Sequence, residues 1–270
     1  MELIRFSENA IYRMGAGVVA RICRPGQVRI AHREVLVARW LEKRDVPAVR
    51  LVTGLPQPTV VHDQAVTWWH ELPPHRPGTT LEVAEALRRL HAAGPPDEGL
   101  DPLDPFARLA IRIDAAHTLT EDDRAWMRQH LADLQQGYAT LPAGLPHGIV
   151  HGDAWGGNLA VTEDGRGVLL DLERCTLGPP EWDLISTAVK AFTVAQITAD
   201  EYQESVRAYG HDVTRWGGFE TLRDIREFRM TCMAAQVAAE NPARQPEIEY
   251  RLACIRGERG QRPWTWVAVP

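Results

Sequence analysis

The chain has 270 residues, of which 44% are hydrophobic, enough for a full globular core in one large domain or two lobes. No apolar run reaches the ~18 residues of a membrane helix, and Met1 to Asn9 lack the basic-then-apolar pattern of a signal peptide, so a cytoplasmic protein without membrane attachment is expected. A net charge of −6 argues against nucleic acid as the main partner. The charge is uneven: residues 1–90 hold 13 basic and 9 acidic side chains, which suits an anionic nucleotide, whereas residues 201–270 hold 10 of each. Of the 30 basic residues only Lys43 and Lys190 are lysines. Cys23, Cys175, Cys232 and Cys254 show no metal-ligand spacing and read as free thiols.

In chain order, residues 6–24 alternate as two strands around a turn at Gly15-Ala-Gly17. Residues 32–43 have helical spacing, with Val35, Leu36, Arg39 and Trp40 recurring on one side. Val49–Val52, Thr59–His62 and Ala65–Trp69 read as further strands, making an antiparallel sheet with one helix. Pro73-Pro-His-Arg-Pro77 breaks the pattern and marks the domain boundary, with residues 1–72 before it and 73–270 after it. Helices follow at Leu81–His91, 106–117 and from Thr120 to about Gln136. A stretch of short strands and loops comes next, then helices at Asp183–Thr193, after a capping box at Thr198-Ala-Asp-Glu201, at Phe219–Glu240 and at Pro246–Arg256. The fold class is therefore α+β.

The chemistry-bearing stretch is His151-Gly-Asp153-Ala-Trp-Gly-Gly-Asn158, followed by Leu170-Asp171-Leu-Glu173. Kinase-type phosphoryl transfer needs one carboxylate at the attacking hydroxyl, and an Asn and a second Asp on Mg²⁺ ions at the triphosphate. Asp153, Asn158 and Asp171 supply that set in that order. No G-x-G-x-x-G and no Walker A motif is present. Gly15 and Gly17 read as a hairpin turn, and backbone N–H groups of Ser7-Glu-Asn9 are candidates for meeting phosphate.

With H-G-D in place of H-R-D, and apolar residues on both sides, the stretch resembles the aminoglycoside phosphotransferase family, relatives of the choline kinases. The resemblance covers nearly the whole chain, with its specific motifs within residues 148–185. It implies a bilobal protein-kinase-like fold: a small antiparallel β-sheet lobe with one main helix, residues 1–72, and a larger, mainly helical lobe, residues 73–270. It implies ATP or GTP as phosphoryl donor, Mg²⁺, and a hydroxyl of a small molecule as acceptor. Asp153 is then the base, and Asn158 and Asp171 the metal ligands. Arg21 takes the place of the usual phosphate-binding lysine, with Glu34 as its partner; an ordinary surface pair is the competing reading. Trp69, Glu71 and Leu72 fall on the segment whose backbone meets the adenine. Glu173 is a candidate for a water-mediated metal contact, and His151 and Asp183 for bracing the catalytic loop.

Two departures bear on the substrate. Trp155 and Gly156 stand where the family commonly has His and Pro, and Pro179 stands where it has Asp. Trp155 either stacks on a substrate ring or packs inward. The balanced charge of residues 201–270 disfavours a polycationic acceptor. From Asp212-Val-Thr-Arg-Trp-Gly-Gly-Phe219 onward the chain looks like actinobacterial phosphotransferases, some of which inactivate capuramycin-type nucleoside antibiotics, so a nucleoside-type antibiotic is favoured over an aminoglycoside. A housekeeping sugar, nucleoside or amino-alcohol kinase is the alternative, and an inactive nucleotide-binding pseudokinase is the alternative of another class. Arg223, Arg226 and Arg229 read as a solvated helix face, and Arg256 to Trp266 as a packed basic and aromatic tail.

Overall fold

The computed structural model describes residues 1–6, 9–96 and 99–268. Five antiparallel strands open the chain: β1 (Glu2–Phe6), β2 (Ala10–Gly15), β3 (Val18–Ile22), β4 (Thr59–Val61) and β5 (Gln64–His70), in the order β1-β2-β3-β5-β4. Alternation along β5 buries Ala65, Thr67 and Trp69 on one face. The intervening helix α1 (Val28–Lys43) starts four residues earlier than its apolar spacing predicts and buries Ala31, Val35, Ala38 and Leu41 along one stripe, with Glu34 among them. Strand β1 carries no sequence signal because all five of its side chains are exposed, so neither face alternates. Val49–Val52 is not a full strand; it makes a single bridge, Leu51 to Trp69.

Pro73–Pro77 reads in the sequence as a break and a domain boundary. It carries β6 (His75–Pro77), which pairs with β8 (Leu159–Thr162), itself paired with β9 (Gly167–Leu169). β6 is the outer strand of that sheet, where a proline that donates no N–H is tolerated. β7 (Gly148–Val150) pairs with β10 (Thr176–Gly178). The helices are α2 (Thr80–Ala92), α3 (Leu109–Ala115), α4 (Glu121–Ala139), α5 (Glu181–Phe192), α6 (Ala199–Tyr209), α7 (Phe219–Glu240) and α8 (Gln245–Ile255). Helix α2 begins at a capping box between Thr79 and Glu82, one residue before the start expected at Leu81. Thr198 and Glu201 exchange the same reciprocal bonds at α6.

The chain divides into two compact units. The first comprises residues 1–102, 146–183 and 204–210, and the second residues 103–145, 184–203 and 211–270. The first has Val35, Leu41, Leu87, Ile149 and Leu159 in its core; the second has Met127, Ile185, Leu222, Phe228 and Ile248. In the second unit the C-terminal segment packs through its aromatic residues: Arg262 lies over Trp264, Arg251 over Trp266, and Arg256 over Trp126. Arg223 makes ion pairs with Glu220 and Asp224 on its own helix, and Arg229 donates to the carbonyl of Pro105. All four cysteines are buried and free. Among the described residues no helix is long and apolar enough to cross a membrane.

Candidate active site

All the residues singled out around the H-G-D stretch lie in the first unit. Buried β7 delivers the chain to His151, where a bend begins. Gly152 has φ of +81°, and a Cβ there would come within 2.6 Å of the Arg174 carbonyl oxygen, so this corner requires glycine. The Asp183 carboxylate receives both loop amides: His151 N–H donates to Oδ2 at 2.7 Å and Gly152 N–H to Oδ1 at 2.8 Å. Burial pushes the Asp183 carboxyl up, but the bond from His91 and the nearby imidazoles outweigh it and hold the group below the usual carboxylate range. His151 is fully buried, and its Nε2–H donates to the Leu170 carbonyl at 2.9 Å.

The same loop is laced to the strand that leads into Asp171. Asn158 Nδ2 donates to the Asp153 carbonyl at 2.9 Å, and Leu170 N–H donates to the Asn158 carbonyl at 2.9 Å. Asp171 stands at φ 53° and ψ 61°, a left-handed conformation that costs a non-glycine residue about 1 kcal/mol. The turn Leu172–Arg174 follows and brings Arg174 Nε to 3.9 Å from Asp153 Oδ2.

Arg21, from β3, meets Glu34 of α1 through Nη1, and donates through Nη2 to Glu173 Oε2 at 2.5 Å. Asp171 Oδ1 lies 3.5 Å from the same Nη2. With the Asn9 amide oriented by this network, its side-chain oxygen accepts from Arg21 at 2.6 Å and 3.2 Å. Burial works against the arginine charge, yet Glu34, Glu173 and Asp171 outweigh it and raise the guanidinium above its usual range. Burial pushes the Glu34 carboxyl up to about 7, and its Oε2 has no hydrogen-bond partner among the described residues. Burial and the neighbouring Glu173 also raise Asp171.

The Trp69 indole is buried and donates to Thr67 Oγ1 at 2.8 Å. Glu71 N–H donates to the Gly17 carbonyl at 2.7 Å, and its carboxylate takes Arg13 Nε at 2.6 Å. Leu72 is the last residue with an N–H before Pro73 and Pro74. Trp155 is 50% exposed, and its ring lies across the space a side chain at Gly157 would need. Of the backbone groups suggested to meet phosphate, Ser7 and Glu8 lie outside the described residues.

The donor set fits Mg²⁺. With Asn158 Nδ2 engaged by Asp153, the amide oxygen is oriented away from that bond, and Asp171 adds a half-exposed carboxylate; both are the hard oxygen ligands this ion takes. No trio of His, Cys, Asp or Glu among the described residues is arranged to hold a metal. An ion here would draw its remaining ligands from phosphate or water, as Mg²⁺ ordinarily does.

Sequence reasoning missed four contributors. Arg174 faces Asp153, and Arg33 Nη2 donates to the Glu173 carbonyl at 2.6 Å. His91, at the end of α2, reaches Asp183 Oδ2 through Nε2 at 3.0 Å and Tyr209 through Nδ1 at 2.8 Å. Arg33 and Arg174 could have been suspected as neighbours of Glu34 and Glu173. His91 and Tyr209 have no such signal, being far from the motif in sequence.

Solved structures of the same architecture cover nearly the whole chain. A choline/ethanolamine kinase family protein from Mesorhizobium loti has 20% identity over 95% of this chain and 87% of its own, with a TM-score of 0.66. An amicoumacin kinase in complex with AMP-PNP, Ca²⁺ and Ami has 13% identity over 95% and 88%, with a TM-score of 0.73. A spectinomycin phosphotransferase in complex with ADP and spectinomycin has 11% identity over 96% and 88%, with a TM-score of 0.60. No curated protein matches the chain. The α+β fold is thus kinase-like, and the sequence pattern of the phosphotransferase enzyme family matches residues 6–224: this chain belongs to that family.

Proposed function

We propose that the chain is a small-molecule O-phosphotransferase that moves the γ-phosphoryl group of ATP or GTP to a substrate hydroxyl. The observation that carries this reading is the lacing of Asp153, Asn158 and Asp171 into one loop-and-strand unit, with Arg21 3.5 Å from Asp171. Residues 1–72 act as the nucleotide-binding lobe and residues 73–270 as the catalytic and substrate-binding lobe. Asp153 orients the acceptor hydroxyl and accepts its proton as the oxygen attacks. Asn158 and Asp171 would hold Mg²⁺, which neutralises charge on the triphosphate when bound. Arg21, held by Glu34, Glu173 and Asn9, supplies a fixed positive charge beside Asp171 to steady the phosphates. With the Glu71 N–H committed to Gly17, the Leu72 N–H is the backbone donor of this segment that would meet the base. His151 and Asp183 act through backbone and carbonyl contacts that set the loop, and Glu173 orients Arg21.

The acceptor is a neutral or anionic hydroxyl compound, with a nucleoside-type antibiotic favoured over a polycation. Similar folds named as kinases of amicoumacin and spectinomycin support antibiotics as a substrate class, and the choline/ethanolamine kinase relative keeps a metabolic alcohol open. The reaction is cytoplasmic and needs neither nucleic acid nor membrane. The test is to incubate purified protein with Mg-ATP and Mg-GTP against nucleoside antibiotics, aminoglycosides, sugars and amino alcohols. A mass gain of one phosphate on a hydroxyl compound is expected. Nucleotide binding with no transfer to any acceptor class would instead favour a pseudokinase.

A further inference from the structure

Asp183 holds the loop before Asp153 by its amides, and His91 in turn holds Asp183. Oδ1 accepts the Gly152 N–H and Oδ2 the His151 N–H, while His91 Nε2 meets Oδ2 at 3.0 Å. His91 lies in the last turn of α2, and Tyr209 is the last residue of α6. Gly94 and Gly210 follow the two helices at φ of +75° and +93°, the left-handed conformation in which a helix stops. Tyr209 Oη stands 2.8 Å from His91 Nδ1, and the two rings meet edge to face with centroids 5.6 Å apart.

These partners fix where the protons lie. The Asp183 carboxyl is held below the usual carboxylate range, so it is an ionised group that only accepts. His91 must therefore present an N–H at Nε2. In a neutral imidazole the other nitrogen is then a bare acceptor, and with the His91 side chain 5% exposed, bulk water is kept from it. The Tyr209 hydroxyl is the donor that fills it. Burial, with Asp183 and Glu181 nearby, raises this phenol above its usual range, so it keeps the proton it donates. The opposite tautomer would set a lone pair of the ring against the Asp183 carboxylate.

We propose that Tyr209 is a positioning residue: its hydroxyl locks His91 in the Nε2–H tautomer and so completes the clamp that sets the loop carrying Asp153. The tautomer of a histidine is set by the hydrogen bond its other nitrogen makes, and here that bond comes from Tyr209. Losing the hydroxyl leaves Nδ1 buried without a partner. The ring relieves that by shifting its proton or turning, and either weakens its bond to Asp183. The amides of His151 and Gly152 then rest on a looser carboxylate, immediately before Asp153. The consequence for turnover rests on the phosphoryl transfer proposed above, whereas the tautomer and the hold on the loop do not.

The test is Tyr209→Phe in the full chain, which keeps the ring and its edge contact and removes only the oxygen. Imidazole ¹⁵N spectra at about pH 8, above the ordinary imidazole range, should show wild-type His91 with its proton on Nε2 and Nδ1 bare. Tyr209→Phe should change that signature. Amide exchange at His151 and Gly152 should quicken about tenfold in the variant, the scale of one lost buried hydrogen bond. Turnover should fall by a similar factor with the nucleotide KM unchanged. His91→Gln offers an amide N–H in place of Nε2–H and has no tautomer to lock, so in that background Tyr209→Phe should have no further effect. A proton on Nδ1 of wild-type His91 overturns the proposal. So does unchanged exchange in Tyr209→Phe, or an equal loss in the His91→Gln background, which mere packing would give. The spectra and the exchange read no turnover, so a lack of transfer to any acceptor would count against the proposed reaction alone.

Discussion

In each unit a glutamate is buried against arginine, and the two are satisfied differently. In the second unit Glu227 Oε1 accepts from Thr193 Oγ1 at 2.6 Å and Arg262 Nε at 2.7 Å, and Oε2 accepts from Arg262 Nη2 at 2.6 Å. Arg262 lies over Trp264, whose N–H donates to the Thr193 carbonyl at 2.6 Å, so this carboxylate ties α7 to the C-terminal segment. In the first unit Glu34 meets Arg21, and its second oxygen has no partner among the described residues. Arg21 is in turn shared with Glu173 and Asn9. A fully bonded buried charge holds structure together, whereas an incompletely bonded one is costly and concentrates where charge is put to use. The contrast fits a structural role for Glu227 and the role proposed above for the cluster around Arg21.

Four measurements sharpen or break that contrast. The largest effect is expected at Asp153: Asp153→Asn should keep the thermal midpoint and nucleotide binding but lower turnover about 10²–10⁴-fold, the usual worth of a general base. Near-normal turnover in the purified variant would remove Asp153 from the chemistry. Next, Glu227→Ala leaves half-buried Arg262 with Asp224 alone and Thr193 Oγ1 without its acceptor, and should cost about 1–3 kcal/mol in denaturant unfolding. Glu34→Ala should cost less, because Glu34 bonds one side chain where Glu227 bonds two and its other oxygen has no partner among the described residues. Equal losses would erase the distinction.

The third measurement is stability against pH. The Glu34 carboxyl sits at about 7 in the fold, above its ordinary value of 4.5. Between those values the folded chain holds a proton that the unfolded chain has released, so stability is fully present below about pH 4.5 and falls as pH rises toward 7. Glu34→Gln should flatten that slope, and an unchanged slope would place its origin elsewhere. The smallest stability effect is expected at Trp155. Being half exposed, Trp155→Ala should cost about 1 kcal/mol or less, against the ~3–5 kcal/mol of a core tryptophan. A raised acceptor KM with an unchanged thermal midpoint would make it a pocket wall. A large loss of stability would make it a packing residue.

Much of the fold was legible because local patterns and burial agree. The helix Phe219–Glu240 matches its sequence bounds, and the alternation on either side of Gly15-Ala-Gly17 becomes β2 and β3. β1 was invisible because none of its side chains is buried, and β6 because its proline reads as a breaker away from an outer strand. At the site, the spacing of Asp153, Asn158 and Asp171 could be read directly, while the pairing of Arg21 with Glu34 was implied by the family resemblance against an ordinary surface pair. The second hold on Arg21, from Glu173, could not, since 152 residues separate them.

What the sequence determined by itself was the set of chemical groups and their local frames: which residues carry charge, where the chain turns at Gly15-Ala-Gly17, and which helical and strand faces are apolar. Those follow from short-range sterics and periodicity, which act within a few residues. Only the tertiary structure decided that His91 and Tyr209 stand behind Asp183 and that Glu173 grips Arg21. Such contacts join distant segments, and their energies exist only once packing has excluded water and brought the partners within bonding distance.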